Sequence, residues 1–500
     1  MKKIIIVFIL CMIFCPAYIS RANTNVEIND QVFPDANFRK YVKDTFDQNK
    51  DDILSAGEIK NITTVIVSAY LEVQDLQGIE KFSELESLRV ECFWQLPDPD
   101  NDYKNWSAKL DVRYNTKLKK IECIMAKIEE LDLRQNSMLE ELSLWGVEGT
   151  VDLSSNPMLK KVCLRGSGGD IDLSKSPSLE EIDLQGTFGK VDLSQNRKLK
   201  KINLTKGTIK DFSGDFTIYP DLEELVLESP DVMFQKVTLS GLESLKKVQF
   251  RKGAIKNVAL VNSRNLEEFL GTECSLEKID LAGCEHIRVL NCARNQLREL
   301  KIKEGKELRE IYCYSNKLTD LDLSGCRKLE KLSAEENKLR KIRLCDGAKI
   351  EWLGLDDNNL KKLDICKTKA KDVFCSNNKL IKLRVNKGIE TLYCSNNNLK
   401  MLDLNGCQKL TEVSCARNKI KKIDLRKCRA LYWLQCSRNK IEKLNLKACV
   451  NLNTLNCSRN KLKTLDMTSC NRIYVLDCRK NKIKKIKISR MGKLGLDLKK

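Results

Sequence analysis

The 500-residue chain has one histidine, His286, only eight prolines and only five tryptophans. One histidine leaves a single possible centre for a Ser-His-Asp or Cys-His arrangement. It stands in the turn-like stretch "GCEHIRVL" and reads as a surface residue. G-x-S-x-G, a glycine-rich phosphate loop and H-E-x-x-H are all missing, which removes the common hydrolase, nucleotide and zincin signatures. These absences argue against an enzyme and against an organic cofactor. After the first 22 residues no apolar run approaches the 18 that a membrane-spanning helix needs. C-x-x-C, the usual mark of thiolates clustered for zinc, does not occur.

What is there begins with a leader. Lys2 and Lys3 precede "IIIVFILCMIF", and "SRA" at 20–22 is a small-x-small cleavage site. Residues 1–22 therefore read as a secretory signal peptide. Neither Cys11 nor Cys15 follows a small residue, against lipoprotein-type cleavage. The expectation is an exported chain, secreted or associated with the cell surface. The formal charge is +20, and +17 remains without the leader. That balance favours acidic partners or polyanions, unless the lysines simply fill solvent-facing repeat positions.

Repetition dominates the rest. From residue 290 the unit L-x-C-x-x-N-x-L-x-x-L-x-L recurs, most copies 21 residues apart, with its asparagine at Asn295, Asn316, Asn337 and onward to Asn481. Upstream, "VDLSSNPMLKKVCL", "IDLSKSPSLEEIDL" and "VDLSQNRKLKKINL" recur every 20 residues. Less regular copies fill 205–285, and the first begin near 76–88. The segment "WQLPDPDNDYKNW" interrupts them, and its Asp98, Asp100 and Asp102 read as loop. Each unit supplies a short strand with alternate residues inward. One unit cannot bury its apolar face alone, so neighbours must stack. The recurrent Asn can bond backbone groups that the turn would leave unpaired.

Over roughly residues 76–490 this pattern resembles the leucine-rich repeat family. The later copies, for example Leu434, Cys436, Asn439, Ile441, Leu444 and Leu446, resemble the cysteine-bearing internalin-J-type repeats of bacterial surface proteins. The resemblance implies a mostly β, α/β-type leucine-rich repeat solenoid, a curved right-handed parallel β superhelix with a small helical N-terminal cap. It also implies protein binding in adhesion or cell-surface interaction, through the concave strand face, to an unknown host or neighbouring-cell protein. The expected division is 1–22 signal peptide, 23–70 cap, 71–490 repeats (irregular and 20-residue copies to 285, 21-residue Cys copies from 286) and 491–500 tail.

An exported chain rich in cysteine invites disulfides. The spacing argues otherwise. One column runs Cys292, Cys313, Cys375, Cys394, Cys415, Cys436, Cys457 and Cys478, with Ala334 and Leu355 as its missing members. A position that accepts Cys, Ala or Leu is a core position, and free Cys packs as a small hydrophobe. A second column holds Cys284, Cys326, Cys407, Cys428, Cys449 and Cys470, with Gly305 and Gly347 in the same slot. Stacked neighbours about 4.8 Å apart exceed the ~3.8 Å between Cβ atoms of a disulfide.

The segment before the repeats carries Asp47-x-Asn49-x-Asp51-x-Ile53-x-Ser55-x-x-Glu58 after helically spaced Phe38, Tyr41, Val42 and Phe46. It resembles the calcium loop of EF-hand and dockerin-like modules. Asp47, Asn49, Asp51, the Ile53 carbonyl, Ser55 and Glu58 would be the ligands. Asp52 replaces the family's glycine.

Repeat register assigns the outward residues. One column holds Trp352, Asp372, Thr391, Glu412 and Trp433; the next holds Tyr312, Ser333, Gly354, Phe374 and Tyr393; a third holds Tyr314, Glu335 and Asp356; a fourth holds Glu336, Asp357, Arg417, Arg438, Arg459 and Lys480. Outward aromatics often mark binding. The expected partner-binding set is Tyr312, Tyr314, Trp352, Phe374, Tyr393, Trp433, Arg417, Arg438 and Arg459. The alternative is carbohydrate or polyanion binding by the same aromatic and Arg columns. No specific nucleic-acid signature is present.

Overall fold

The computed structural model describes residues 25–91, 107–108, 110–124, 127–128, 131–145, 151–166, 170–186, 188–205, 208–210, 214–228, 234–302, 305–488 and 497–499. The leader, the segment with Asp98, Asp100 and Asp102, and most of 491–500 lie outside them. The chain forms two compact units, one ending at Leu179 and one starting at Glu180.

The first unit opens with a cap. Strand β1 (Val26–Glu27) pairs antiparallel with β2 (Ile53–Leu54). Helix α1 (Ala36–Phe46) starts at Asp35, whose Oδ1 accepts the Phe38 amide at 2.7 Å. The same carboxylate accepts the Gln74 amide through Oδ2 at 2.8 Å. One residue thus caps the helix and holds the chain entering the repeats. Phe33 lies 6.1 Å and Phe46 5.8 Å, ring to ring, from Phe82 of the first repeats. Contacts of this kind add about 1 kcal/mol each beyond burial. Gly78, at φ 103°, is required here because a Cβ would collide with the Phe33 ring. Helix α2 (Ala56–Asn61) follows the acidic loop.

The parallel sheet starts at β3 (Thr64–Val67), inside the stretch that the sequence assigns to the cap. It pairs with β4 (Ser87–Glu91), and strands Lys120–Ile124, Glu141–Trp145 and Lys161–Arg165 continue in register. In the second unit the in-register column Leu225, Val248, Phe269, Leu290, Ile311, Leu332 shows the same stacking. Shorter parallel pairs line the return side, as Asp320–Leu323 with Lys341–Leu344. Among the described residues this unit contains no helix, because 19 to 23 residues per turn leave no length for one. The architecture is a mostly β, parallel solenoid, as the periodicity predicts.

Asparagine amides tie the turns together. Asn439 Nδ2 donates to Cys415 O of the preceding turn at 2.9 Å and to Cys436 O of its own at 3.2 Å. Its Oδ1 accepts the Ile420 amide at 2.9 Å. Asn316, Asn337, Asn358, Asn378, Asn397, Asn418, Asn460 and Asn481 repeat the arrangement. The residue before each asparagine is left-handed, from Arg294 (φ 55°) to Lys480 (φ 55°).

All 19 described cysteines are free, and 18 of them are buried. The first column lines the interior, and burial pushes the Cys292 and Cys415 thiols up to about 12. They stay protonated and inert. The second column does more than pack. Cys284 Sγ donates to Leu260 O at 3.2 Å and Cys428 Sγ to Leu404 O at 3.3 Å. In the first unit Asn136 and Asn156 fill the equivalent slot and donate to Val112 O and Leu133 O. Ser263 does so to Leu239 O at 2.6 Å. In many turns this slot therefore carries a donor, an amide, a hydroxyl or a thiol. Gly347 does not sit in this slot. It is exposed, and buried Ala348 takes the place because the turn is one residue longer, its amide donating to Cys345 O.

Just before the strands, another column alternates in sign: Glu86, Lys119, Glu140, Lys160, then Glu180, Lys200, Glu223, Lys246, Glu267, Arg288. Pairs such as Lys119–Glu86 (2.9 Å), Lys200–Glu180 (2.7 Å) and Lys246–Glu223 (2.8 Å) span neighbouring turns. Each is solvated and contributes a few tenths of a kcal/mol.

Asn439→Ala removes a buried amide that serves two turns at once. It is expected to lower stability by about 2 kcal/mol or more, with hydrogen exchange rising first at 415–441. Unchanged denaturant midpoints would show that water replaces the amide.

Candidate functional site

The outward face of the second unit's strands has three neighbouring zones. The first is aromatic. Trp352 and Phe374, on adjacent turns, have ring centroids 4.2 Å apart. Phe374 meets Tyr393 edge-on at 5.3 Å. Trp433 reaches back over the intervening turn to Tyr393 at 5.8 Å. Four rings thus make one ribbon. Trp352 is its open end, 39% exposed, while the other three are half-buried by one another. Tyr393 donates its hydroxyl to Glu412 at 2.7 Å, and this bond, with burial, pushes the phenol up to about 12.

The second zone is acidic. Ser333 Oγ donates to Glu335, whose carboxylate lies over Gly354, where a Cβ would collide with it. Asp356 accepts the Ser376 amide at 2.5 Å. Burial, and the negative charges of Glu335 and Asp357, push the Asp356 carboxyl up to about 6 despite that bond. Gly354 is what lets Glu335 fold down toward Asp356.

The third zone is basic. Arg417, Arg438 and Arg459 fall in one column, all exposed and all left-handed at φ 52–54°. Tyr312 and Tyr314 stay apart from the ribbon, because Ser333 and Gly354 separate Tyr312 from Phe374. Tyr312 donates to Glu310 at 2.6 Å beneath Lys331, 5.1 Å from the ring centroid. Tyr314 lies under Arg294 at 6.0 Å.

The acidic loop of the cap closes on itself. Asp47 Oδ1 accepts the Lys50 amide at 2.8 Å and Oδ2 the Asp52 amide at 3.0 Å. Asn49 Oδ1 accepts the Asp51 amide, and Asp51 Oδ1 the Ile53 amide. Ser55 and Glu58 form a capping box on α2, and Glu58 Oε1 also accepts the Gln48 amide at 2.8 Å. These bonds hold the Glu58 carboxyl below its usual range. Asp52 takes the left-handed conformation at φ 63° that glycine would take, and its carboxylate pairs with Lys43. Among the described residues no three His, Cys, Asp or Glu side chains converge closely enough to hold a metal ion.

His286 is exposed, its Nδ1 3.0 Å from Arg264 O, in an open cleft with Glu267 and Arg288. Sequence reasoning placed the outward columns but missed the contacts within them, and it missed the donor role of the second cysteine column. Comparing "DLSSN" with "DLAGC" in register would have shown that Cys284 follows an asparagine slot.

No family model matches the chain, and no curated protein matches it in sequence. Solved structures do. The Toll–Spatzle complex of Drosophila aligns at 16% identity and TM-score 0.51, over 82% of this chain and 58% of that one. The functional domain of InlJ from Listeria monocytogenes, described as including a cysteine ladder, aligns at 18% identity and TM-score 0.48, over 91% and 79%. YopM from Yersinia enterocolitica aligns at 18% and 0.48, over 77% and 87%. The fold is that of a leucine-rich repeat solenoid.

Because the Asp356 carboxyl is raised, its stability contribution is present below about pH 4 and lost as pH rises through about 6. Asp356→Asn keeps the acceptor for Ser376 and removes the charge. The variant is expected to melt higher than wild type at pH 7 and to converge with it near pH 4. A lower melting temperature at pH 7 would show that the carboxylate is needed by the fold.

Proposed function

We propose that this chain is an exported, extracellular leucine-rich repeat protein that binds a protein partner through the strand face of residues 312–435, in adhesion or another cell-surface interaction. The role is non-catalytic. One observation carries the reading: four aromatic side chains from separate turns meet in a continuous ribbon beside the half-buried carboxylates of Glu335 and Asp356. Hot spots of protein interfaces are built from such aromatic anchors. Ring faces next to Glu335 and Asp356 suit a partner that presents an Arg or Lys side chain, by cation–π contact and ion pairing. Stacking of sugar rings is the alternative. The mutual cover of Phe374, Tyr393 and Trp433 counts against it, because it leaves Trp352 as the open ring. The leader at 1–22 supports export.

The test is a screen of the intact secreted protein on cell-surface protein and glycan arrays. A protein ligand should lose at least tenfold in affinity with Trp352→Ala or Trp433→Ala and keep it with Tyr474→Ala. Glycan ligands alone, or aromatic variants that bind as wild type, would refute the reading.

We also propose that the loop 47–58 binds calcium with Asp47, Asn49, Asp51, the Ile53 carbonyl, Ser55 and Glu58. Its support is the ligand spacing, the left-handed Asp52 and an oxygen-only donor set, which suits a hard cation. When bound, the ion would offset two of the three negative charges of Asp47, Asp51 and Glu58. Calcium is expected to raise the first unfolding transition relative to EGTA, and Glu58→Gln to abolish the difference. Equal melting curves in calcium and EGTA would rule it out.

A further inference from the structure

The stretches "RNKIKK" (417–422), "RNKIEK" (438–443), "RNKLKT" (459–464) and "KNKIKK" (480–485) occupy the same place on four successive turns. Together they hold fourteen Lys and Arg against one acid, Glu442. Every one of the fourteen is exposed. The ion pairs among the described residues here, Arg426–Asp424 and Arg479–Asp477, use none of them.

At other repeat positions upstream, bases face acids one turn away, as in Lys328–Glu307 (2.6 Å), Lys371–Glu351 (2.6 Å) and Arg384–Asp364 (2.9 Å). In the equivalent stretch at 294–299, Arg294 faces Glu273 at 3.2 Å. Neighbouring rungs lie about 4.8 Å apart, so an unalternated column sets like charges side by side and repels itself.

A second feature is conformational. The first residue of each stretch is left-handed. Upstream the slot holds Arg294, Ser315, Glu336, Asp357, Asn377 and Asn396, and the three just before 417 are of the residue types that tolerate this conformation best. From 417 onward the slot holds Arg or Lys on four turns running, without the facing acid that Arg294 has in Glu273. Four successive turns of exposed like charge with no facing acid, each opening on a left-handed Arg or Lys, mark a surface kept for a ligand.

We infer that these four turns bind a linear sulfated polysaccharide laid across the rungs. Sulfates along such a chain neutralise the column and release its counterions. Eleven of the fourteen bases are lysine, whereas the cores of protein interfaces are depleted in lysine. The four stretches contain no aromatic residue, whereas sites for single-stranded nucleic acid pair basic grooves with stacking rings. The inference uses different side chains from the aromatic ribbon, so either can fail alone.

The test is fluorescence anisotropy of the intact chain with a labelled heparin octasaccharide from 50 to 300 mM NaCl. The main variant is Arg417→Asn, Arg438→Asn, Arg459→Asn, Lys480→Asn, since Asn already fills this slot at 377 and 396. Its binding should fall at least tenfold at 150 mM NaCl. The slope of log K against log salt should drop by about 3, at roughly 0.7 per charge removed from a single-stranded polyanion. Trp433→Ala should bind the octasaccharide as wild type does. If the Asn variant melts early, Lys419→Ser with Lys440→Ser, Lys461→Ser and Lys482→Ser serves in its place, with the same expectation. An unchanged slope in a folded variant overturns the inference. So does equal binding of the desulfated octasaccharide, or tighter binding of oligo-dT or of vesicles containing phosphatidylserine.

Discussion

A chain that reverses direction in every repeat buries peptide groups at each turn, and those groups must find partners without water. The asparagine amide solves this for the 21-residue copies. It donates into two turns and accepts from one, so each rung is fixed to the rung before it. Leucine and cysteine fill the interior around it, but apolar filling has no direction and would tolerate a slipped register. The amide does not. The second donor slot, filled by Asn156, Ser263 or Cys284 in turn, does the same work at the opposite end of the strand.

Fixed register has a functional consequence. When every turn superimposes on the last, side chains at one repeat position form a straight column across many turns. A binding surface can then be composed by changing single residues without disturbing the interior. The second unit shows three such compositions side by side: rings from 352 to 433, acids at 335 and 356, bases from 417 onward. The acidic zone also shows how a column position acts through an omission, since Gly354 makes room for the carboxylate of the turn before it.

The fold was legible in the sequence because its signals are periodic. Leucine spacing, the recurrent asparagine and the interchange of Cys with Ala334 and Leu355 all report one buried face. The outward columns followed from register alone. What was not legible depends on side-chain packing across turns. That Trp433 reaches over a whole turn to Tyr393, or that Asp356 is desolvated, requires knowing where neighbouring side chains fold. Gly347 misled because glycine looks like a small core residue, and only the backbone bond from Ala348 to Cys345 shows the longer turn. The sheet's early start at Thr64 was hidden because "TVIV" is too short to carry a period. For the calcium loop, spacing names oxygens but not their convergence.

The sign alternation within each unit, Glu86 to Lys160 in the first and Glu180 to Arg288 in the second, limits how the turns can multiply. Inserting or deleting one turn there would bring Glu beside Glu or Lys beside Lys at the new junction, while adding two at a time preserves the alternation. Gene duplication should therefore favour even-numbered blocks in this stretch. From Arg288 onward the strict alternation is broken, with Arg288 beside Arg309 and Glu330 beside Glu351, so the even-number constraint no longer holds throughout.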